Sequence, residues 1–464
     1  MSDTIKRPNL LFLFPDQHRG DWMPYDERVC KEWGLSPLPL RMPNVARLMS
    51  EGTTFVRAVT PSPLCAPARA CLAAGVRYEQ CGVESNGADF PLDKKTVYAE
   101  LRARGYAVGG VGKFDLHKKT EWWGLDGWLP ELETLGFTHG IDNAGKLDAV
   151  RSGAREPKDP YMKYLYERGL AQAHLQDMNG RLGDNRMNTR PTTLPDDAYC
   201  DNWLTGNGVQ VLREFPDDRP WFLAVNFTGP HHPWDVTEAM KSRWQDVDFP
   251  PPAACSSGLL ADYNAIRQNY AAMLENIDRN IGLLLDEVEA RGDLENTIVI
   301  YVSDHGEMLG DFDAFNKSRP ERGSVHIPLV AAGPGIARGR ISDALVELQD
   351  LTATLLDYSR GDAGSAGGGS GRPAPQPAAE PGAMSLSLRP ILEGRQTEHR
   401  DYQYSALGDW KMVATRTHKL IVQTGREDRL YDLAADPWEL RNVAGEQPHV
   451  VEEVKNLARE VIGP

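Results

Sequence analysis

Four short apolar runs, each ending abruptly in charged or imidazole side chains, constrain this 464-residue chain more than any other feature. Leu10-Leu11-Phe12-Leu13-Phe14 runs into Pro15-Asp16-Gln17, and Thr297-Ile298-Val299-Ile300-Tyr301-Val302 runs into Ser303-Asp304-His305. Tyr106-Ala107-Val108-Gly109-Gly110-Val111 ends in Gly112-Lys113-Phe114-Asp115-Leu116-His117. Trp221-Phe222-Leu223-Ala224-Val225-Asn226-Phe227 ends in Thr228-Gly229-Pro230-His231-His232-Pro233. Runs this short, rich in branched and aromatic residues, read as strands buried on both faces. In open α/β sheets, sites gather just outside the carboxyl ends of such strands. Asp16, Gln17, Asp304 and His305 are therefore expected on one rim of one sheet. There they offer carboxylate, amide and imidazole ligands to one divalent cation. A lone Asp-His after a strand is an ordinary cap or turn; the repetition carries the functional reading.

A fifth element supplies the chemistry. Ser62-Pro63-Leu64-Cys65-Ala66-Pro67-Ala68-Arg69, followed by Leu72-Ala73-Ala74-Gly75, resembles the activation motif of the type I sulfatases, Cys-x-Pro-x-Arg with a Leu-x-x-Gly tail. The chain resembles that family, within the alkaline phosphatase superfamily, from Arg7 to about Val443. Asp16-Gln17 is similar to the family's first metal pair, Gly112-Lys113 to its Gly-Lys strand end, and His231-x-Pro233 to its His-x-Pro element. Ser303-Asp304-His305-Gly306 matches its Ser-Asp-His-Gly block. Lys317, Ile327-Pro328-Leu329, Gly333-Pro334-Gly335 and Leu430-Tyr431-Asp432-Leu433 continue the pattern in family order. The resemblance implies an α/β fold: a large mixed, mostly parallel sheet flanked by helices, with a smaller C-terminal antiparallel sheet plus a helix.

Patterning divides the chain in the same way. Residues 1–359 read as the catalytic α/β domain, because apolar runs alternate with amphipathic stretches. Met273, Ile277, Ile281, Leu284 and Val288 recur at helical spacing and read as core. Residues 118–197, with Trp122, Trp123, Trp128, Tyr161 and Tyr164, read as a specificity insert whose aromatic rings either stack on substrate or pack internally. Between 361 and 383, Gly, Ala and Pro take 17 of 23 positions, so 360–384 reads as a linker. Residues 385–464 read as a small α+β subdomain.

Charge and cysteine content bound the partners. With 51 basic against 66 acidic residues, the net −15 argues against nucleic acid, which needs a basic footprint. It leaves a small anionic substrate open, because local cations dominate a cleft. The polar start and the lack of an apolar run near the roughly 18 to 20 residues of a membrane span argue against a membrane partner. The six cysteines are sparse, without Cys-x-x-Cys, and read as reduced; the expected location is the cytoplasm. A homo-oligomer stays open.

The resemblance implies a mechanism. A maturation enzyme of the formylglycine-generating kind oxidises Cys65 to formylglycine, whose aldehyde hydrates to a diol. One diol oxygen attacks the sulfur of a small-molecule or carbohydrate sulfate ester and the alcohol departs. The second hydroxyl then loses its proton and expels sulfate, dividing one hard step into two. A divalent cation, Ca²⁺ foremost with Mn²⁺ or Mg²⁺ as alternatives, is held by Asp16, Gln17, Asp304, His305 and residue 65. Arg69 holds the diol and the metal-bound acids. Lys113, His231 and Lys317 bind sulfate oxygens and protonate the leaving alkoxide.

One position departs from the family. Where Gly-Lys-x-His is usual, this chain has Asp115, with His117 two residues later. If strand geometry persists, Lys113, Asp115 and His117 share one face, and either Asp115 or His117 reaches the diol. Gly110-Val111-Gly112-Lys113 is not a phosphate loop, since position 107 is Ala and neither Ser nor Thr follows Lys113. The Gln17 and His305 pair is similar to that of choline-sulfatase-like and phosphonate monoester hydrolase-like relatives. Two alternatives therefore stand beside the sulfatase: a phosphonate monoester hydrolase or phosphodiesterase on the same site, and a catalytically idle binding protein.

Overall fold

A computed structural model describes residues 7–183, 187–361 and 384–462. The expected linker at 360–384 lies almost wholly outside the described residues. Nine strands form the large sheet: β1 (Asn9–Leu13), β2 (Gly52–Val59), β3 (Ala107–Gly112), β4 (His139–Asp142), β5 (Trp221–Asn226), β6 (Thr297–Val302), β7 (His326–Ala332), β8 (Arg340–Ser342) and β9 (Val346–Glu347). Their order is β4-β3-β5-β1-β6-β7-β2-β8, with β9 also beside β2. Strand β7 runs antiparallel to β6 and β2, and the remaining pairings are parallel. The four motif-bearing strands lie side by side as β3-β5-β1-β6. Leu13 stands opposite both Val225 and Tyr301, and Gly112 opposite Asn226. Their carboxyl ends are thus level, and the residues after them emerge at one rim.

These central strands are buried on both faces, as their unbroken apolar runs require. Leu11, Leu13, Val225 and Tyr301 face a core shared with the 31-residue helix Leu260–Ala290, whose Met273, Ile277, Ile281, Leu284 and Val288 form its stripe. Alternate residues Leu10, Phe12, Phe222, Ile298 and Ile300 face the opposite core, covered by helices Cys65–Ala74 and Asp350–Tyr358. Each such large side chain contributes roughly 1.5–3 kcal/mol on burial. Small residues, Ala66, Ala68, Ala70 and Ala73, let Cys65–Ala74 sit fully inside this layer.

Within 118–197, Trp123, Val150, Tyr161, Met162, Leu165 and Met178 pack together as a separate helical cluster, while β4 joins the large sheet and Leu132, Leu135 and Phe137 pack in its core. Trp123 and Tyr161 are thereby core residues of the insert. Four further strands, β10 (Gln403–Leu407), β11 (Trp410–Ala414), β12 (His418–Gln423) and β13 (Arg429–Asp432), form an antiparallel sheet in sequence order, followed by helix Pro448–Leu457. This small sheet is tied to the rim of the large one: Ala406 N donates to Pro61 O at 3.0 Å, and Val325 packs with Trp410 and Met412. Leu388, Ile391 and Leu392, ahead of the small sheet, pack in the large-sheet core. No helix among the described residues is long and apolar enough to cross a membrane. All six cysteines are free.

Candidate active site

Cys65 opens a ten-residue helix, preceded by the extended residue Leu64, so its side chain stands at the helix's positive end. Ala66 N, one of the donors such an end leaves unmatched, donates to Asn86 Oδ1 at 3.0 Å. Cys65 Sγ lies 3.2 Å from His305 Nε2 and 3.8 Å from Asp16 Oδ1. One ligand atom each of Asp16, Cys65, Asp304 and His305 falls within 4.8 Å of the others, and all four residues are buried. Burial, and then the charge of Asp16, hold the Asp304 carboxyl above its ordinary range. His305 Nδ1 donates to Gly306 O at 3.1 Å, which leaves the Nε2 lone pair facing the cluster. Two buried acids and an imidazole so disposed fit a divalent cation, which needs each ligand atom within about 2.0–2.6 Å.

Arg69 stands one helical turn after Cys65 and hence on the same face. Its Nε donates to Asp304 Oδ2 at 3.0 Å, and Nη2 lies 3.6 Å from Asp16 Oδ2. Phe14 lies beneath the guanidinium, 4.7 Å from ring centre to Cζ. Lys113 Nζ donates to Asp16 Oδ2. Burial alone would raise Asp16; Lys113, Arg69 and Lys317 together outweigh it and keep the carboxylate well below its usual range. Burial and Asp16 likewise oppose ionisation of Cys65, but Lys113, Lys317 and His305 draw the thiol well below its usual value.

Gln17 links this cluster to a second group of donors. Its Nε2 donates to Glu307 Oε2, and its Oε1 accepts from Lys317 Nζ at 2.5 Å. The carbonyl oxygen's second lone pair stays available for a cation. Lys317 Nζ also donates to His231 Nε2 at 2.5 Å, while His231 Nδ1 donates to His232 O at 2.5 Å. That network fixes the neutral tautomer of His231. Burial, reinforced by Lys317, holds its imidazole well below the ordinary value. Asp201 pins the preceding turn, accepting from Thr228 N at 2.7 Å and Gly229 N at 3.0 Å.

The segment after β3 does not continue as a strand. Gly112 has φ +98°, and a Cβ there would meet Asn226 O at 2.1 Å, so only glycine fits. Asp115 also has positive φ, 54°. Alternation therefore stops, and Lys113, Asp115 and His117 do not share a face. Asp115 Oδ2 lies 3.2 Å from Lys113 Nζ and accepts from Lys118 Nζ at 3.1 Å. Burial opposes its ionisation, yet Lys113 and Lys118 hold it far below the usual range. His117 instead pairs with Asp142 Oδ2 at 2.6 Å, beside Trp123. It is not among the residues lining the cleft.

The cleft over Cys65 encloses about 570 Å³. Asp16, Cys65, Lys113, His231 and Lys317 form its floor, and Lys118, Lys146, Asp148 and Arg151 contribute to its wall. Of the residues expected from sequence, Asp16, Cys65, Lys113, His231 and Lys317 line this cleft, Gln17, Arg69, Asp115, Asp304 and His305 join them through direct contacts, and His117 pairs with Asp142 instead. Sequence reasoning missed Glu307, which orients the Gln17 amide, although it lies two residues beyond His305. It also missed Lys118, Lys146 and Asp148. Lys146 is buried and donates to Asp235 Oδ1 at 2.7 Å and His231 O at 3.3 Å, a role without a local sequence signal.

Comparison with known proteins agrees with this geometry. The family model described as Sulfatase matches residues 8–361. An arylsulfatase of Clostridium perfringens is 26% identical over 96% of this chain and 91% of its own. A choline-sulfatase of Rhizobium meliloti is 28% identical over 95% of this chain and 83% of its own. The crystal structure of the phosphonate monoester hydrolase of Agrobacterium radiobacter superposes with a TM-score of 0.77 at 24% identity, covering 98% of this chain and 96% of that one.

Proposed function

Because this chain belongs to the sulfatase family, it is a sulfuric ester hydrolase, and we propose that residue 65 is its nucleophile. The reaction is cleavage of an organic sulfate monoester to alcohol and sulfate. The observation that carries the assignment is the convergence of Cys65, Asp16, Asp304 and His305 within 4.8 Å at the base of a cleft. Oxidised to formylglycine as the family's chemistry requires, residue 65 supplies a diol that can both attack sulfur and release sulfate. A divalent cation held by Asp16, Gln17, Asp304 and His305 would acidify that nucleophile and neutralise sulfate charge. Ca²⁺ is the first choice. Mn²⁺ or Mg²⁺ suits the same set, whose Gln17 and His305 are neutral ligands.

The chain's own groups divide the remaining work. Arg69 bridges Asp304 and Asp16 and so fixes the acids relative to residue 65. Lys113 and Lys317 both line the cleft beside Cys65, held by Asp16 and Gln17 respectively. Their fixed ammonium groups stabilise the charge that develops on sulfate oxygens and the leaving oxygen. His231 is neutral and accepts from Lys317, so it orients that cation and the lysine bears the proton. Asp115, held as a carboxylate between Lys113 and Lys118, fixes the Lys113 ammonium from behind. Activity depends on a maturation enzyme for residue 65.

A second reading, phosphonate monoester or phosphodiester hydrolysis, draws on the Gln17 and His305 pair. The ammonium groups of Lys113 and Lys317 suit the non-bridging oxygens of a sulfate, whereas a diester carries a second organic arm in place of one oxygen. Comparing kcat/KM for p-nitrophenyl sulfate, phenylphosphonate and phosphodiester substrates tests the choice. A phosphonate or diester preferred tenfold, about 1.4 kcal/mol at the transition state, hands the assignment to the second reading.

A further inference from the structure

A ladder of alternating charges runs from the reaction centre up the wall of the cleft. Asp16 accepts from Lys113, which lies 3.2 Å from Asp115; Asp115 accepts from Lys118 at 3.1 Å; Lys118 lies 2.8 Å from Asp148. Asp148 in turn lies 3.6 Å from Arg151. The inner half, Asp16 to Asp115, belongs to the reaction already described. Asp148 has no part in it, and Lys118 enters it only by holding Asp115, yet both residues line the cavity. Their side chains are only 10% and 22% exposed, so they form a cleft wall and not a solvated surface pair.

The wall has a definite architecture. Helix Gly145–Ser152 directs Leu147, Asp148 and Arg151 at the cleft, a spacing that places them on one face. Lys118 meets that face from the segment following β3. Its ammonium has three donors, of which Asp115 and Asp148 engage two. The Asp148 carboxylate keeps lone pairs beyond the one directed at Lys118. The pair therefore presents an unspent donor beside an unspent acceptor, the complement of a hydroxyl group, which both donates and accepts. Asn86, Asn316 and Ser318 add polar groups around the same space.

The alternatives fit poorly. A quaternary ammonium group calls for an aromatic cage, and an aryl group for an apolar slot. Apart from the histidines, Trp123 is the one ring lining the cavity among the described residues, and it is 1% exposed. Covering Lys118 and Asp148 with an apolar group would leave a buried ion pair without its water, which is unfavourable.

We propose that Lys118 and Asp148 are specificity-determining residues that hydrogen-bond hydroxyl groups of the substrate's organic half, so that the substrate is a sugar sulfate. This deepens the sulfatase reading and rests on it. Hydroxyl-binding sites discriminate strongly because their polar groups are left unpaired when the hydroxyl is missing.

The test uses mature, metal-loaded enzyme and four probes: a panel of hexose and hexosamine monosulfates, p-nitrophenyl sulfate, choline sulfate and phenylphosphonate. Asp148→Ala is expected to lower kcat/KM for the best sugar sulfate at least thirtyfold, mainly through KM, while p-nitrophenyl sulfate changes less than threefold. Asp148→Asn, which is isosteric and keeps an acceptor, is expected to lose less and serves if the alanine variant does not fold. Equal losses on sugar and aryl substrates would make Asp148 a merely structural residue and overturn the proposal. Turnover of p-nitrophenyl or choline sulfate with no sugar sulfate accepted would also overturn it, leaving the sulfatase reading intact. Turnover of phenylphosphonate alone would overturn that underlying reading instead.

Discussion

Cys65 Sγ and His305 Nε2 stand 3.2 Å apart although 240 residues separate them. The contact exists because one residue opens a helix over the sheet while the other follows β6 at the sheet's rim. A thiol so placed, drawn toward ionisation by Lys113, Lys317 and His305 against burial and Asp16, is at once a nucleophile position and a ligand position.

In active enzyme, the peptide carrying residue 65 should show the mass of formylglycine. Cys65→Ser should fold yet lose roughly two decades of rate or more, because a single hydroxyl accepts sulfate but does not expel it. Full activity with an intact thiol at 65 would refute the nucleophile assignment.

Metal and activity should disappear together in Asp304→Ala and Asp16→Ala. Each substitution removes an anionic ligand and one of the two carboxylates that Arg69 bridges (for Asp16, also one of the two beside Lys113), so a stability loss of up to about 3–5 kcal/mol accompanies it. Elemental analysis of folded protein beside a rate assay checks this. Stoichiometric metal in either variant would remove that residue from the ligand set.

Lys317→Ala and Lys113→Ala should lower kcat more than they raise KM, if their cations act on charge that develops during reaction. Steady-state kinetics on one sulfate monoester suffices. A pure KM effect would restrict both residues to ground-state binding.

His117→Asn should leave kcat within about threefold. Its imidazole pairs with Asp142, whose charge outweighs burial and raises the histidine, so the loss should appear as stability, about 1.5–3 kcal/mol for a charge-assisted bond. A hundredfold fall in kcat without a change in melting would place His117 in the reaction after all.

Stability should fall with acid through His326. Burial, aided by Arg322, lowers this imidazole to about 3 from an unfolded value near 6.5. Nε2 donates to Val56 O at 3.0 Å, and Nδ1 is buried without a partner among the described residues. The unfolded chain therefore binds a proton that the folded chain refuses. Above about pH 6.5 the group contributes no pH dependence; below it, stability declines until pH reaches about 3. By pH 4.5 the loss is on the order of 3 kcal/mol. Urea unfolding at pH 7 and 4.5 should show a smaller difference in His326→Gln than in the parent. An unchanged difference would remove His326 as a source.

The short apolar runs determined the central sheet, because a continuous run of branched and aromatic residues is stable only with both faces covered. Leu10–Phe14, Tyr106–Val111, Trp221–Phe227 and Thr297–Val302 became β1, β3, β5 and β6 within a residue or so. Their parallel order put Asp16, Lys113, His231 and Asp304 on one rim, so most of the site could be read from strand ends and from Cys65-x-Pro67-x-Arg69. What the sequence did not carry was the path of the chain after a strand stops. At Gly112 a positive φ and the nearby Asn226 carbonyl turn the backbone, and period-two alternation fails just where it was used to place Asp115 and His117. The tertiary structure then sent His117 to Asp142 and brought Lys118 to Asp148, because a buried charge must find its partner in space, wherever in the sequence that partner lies.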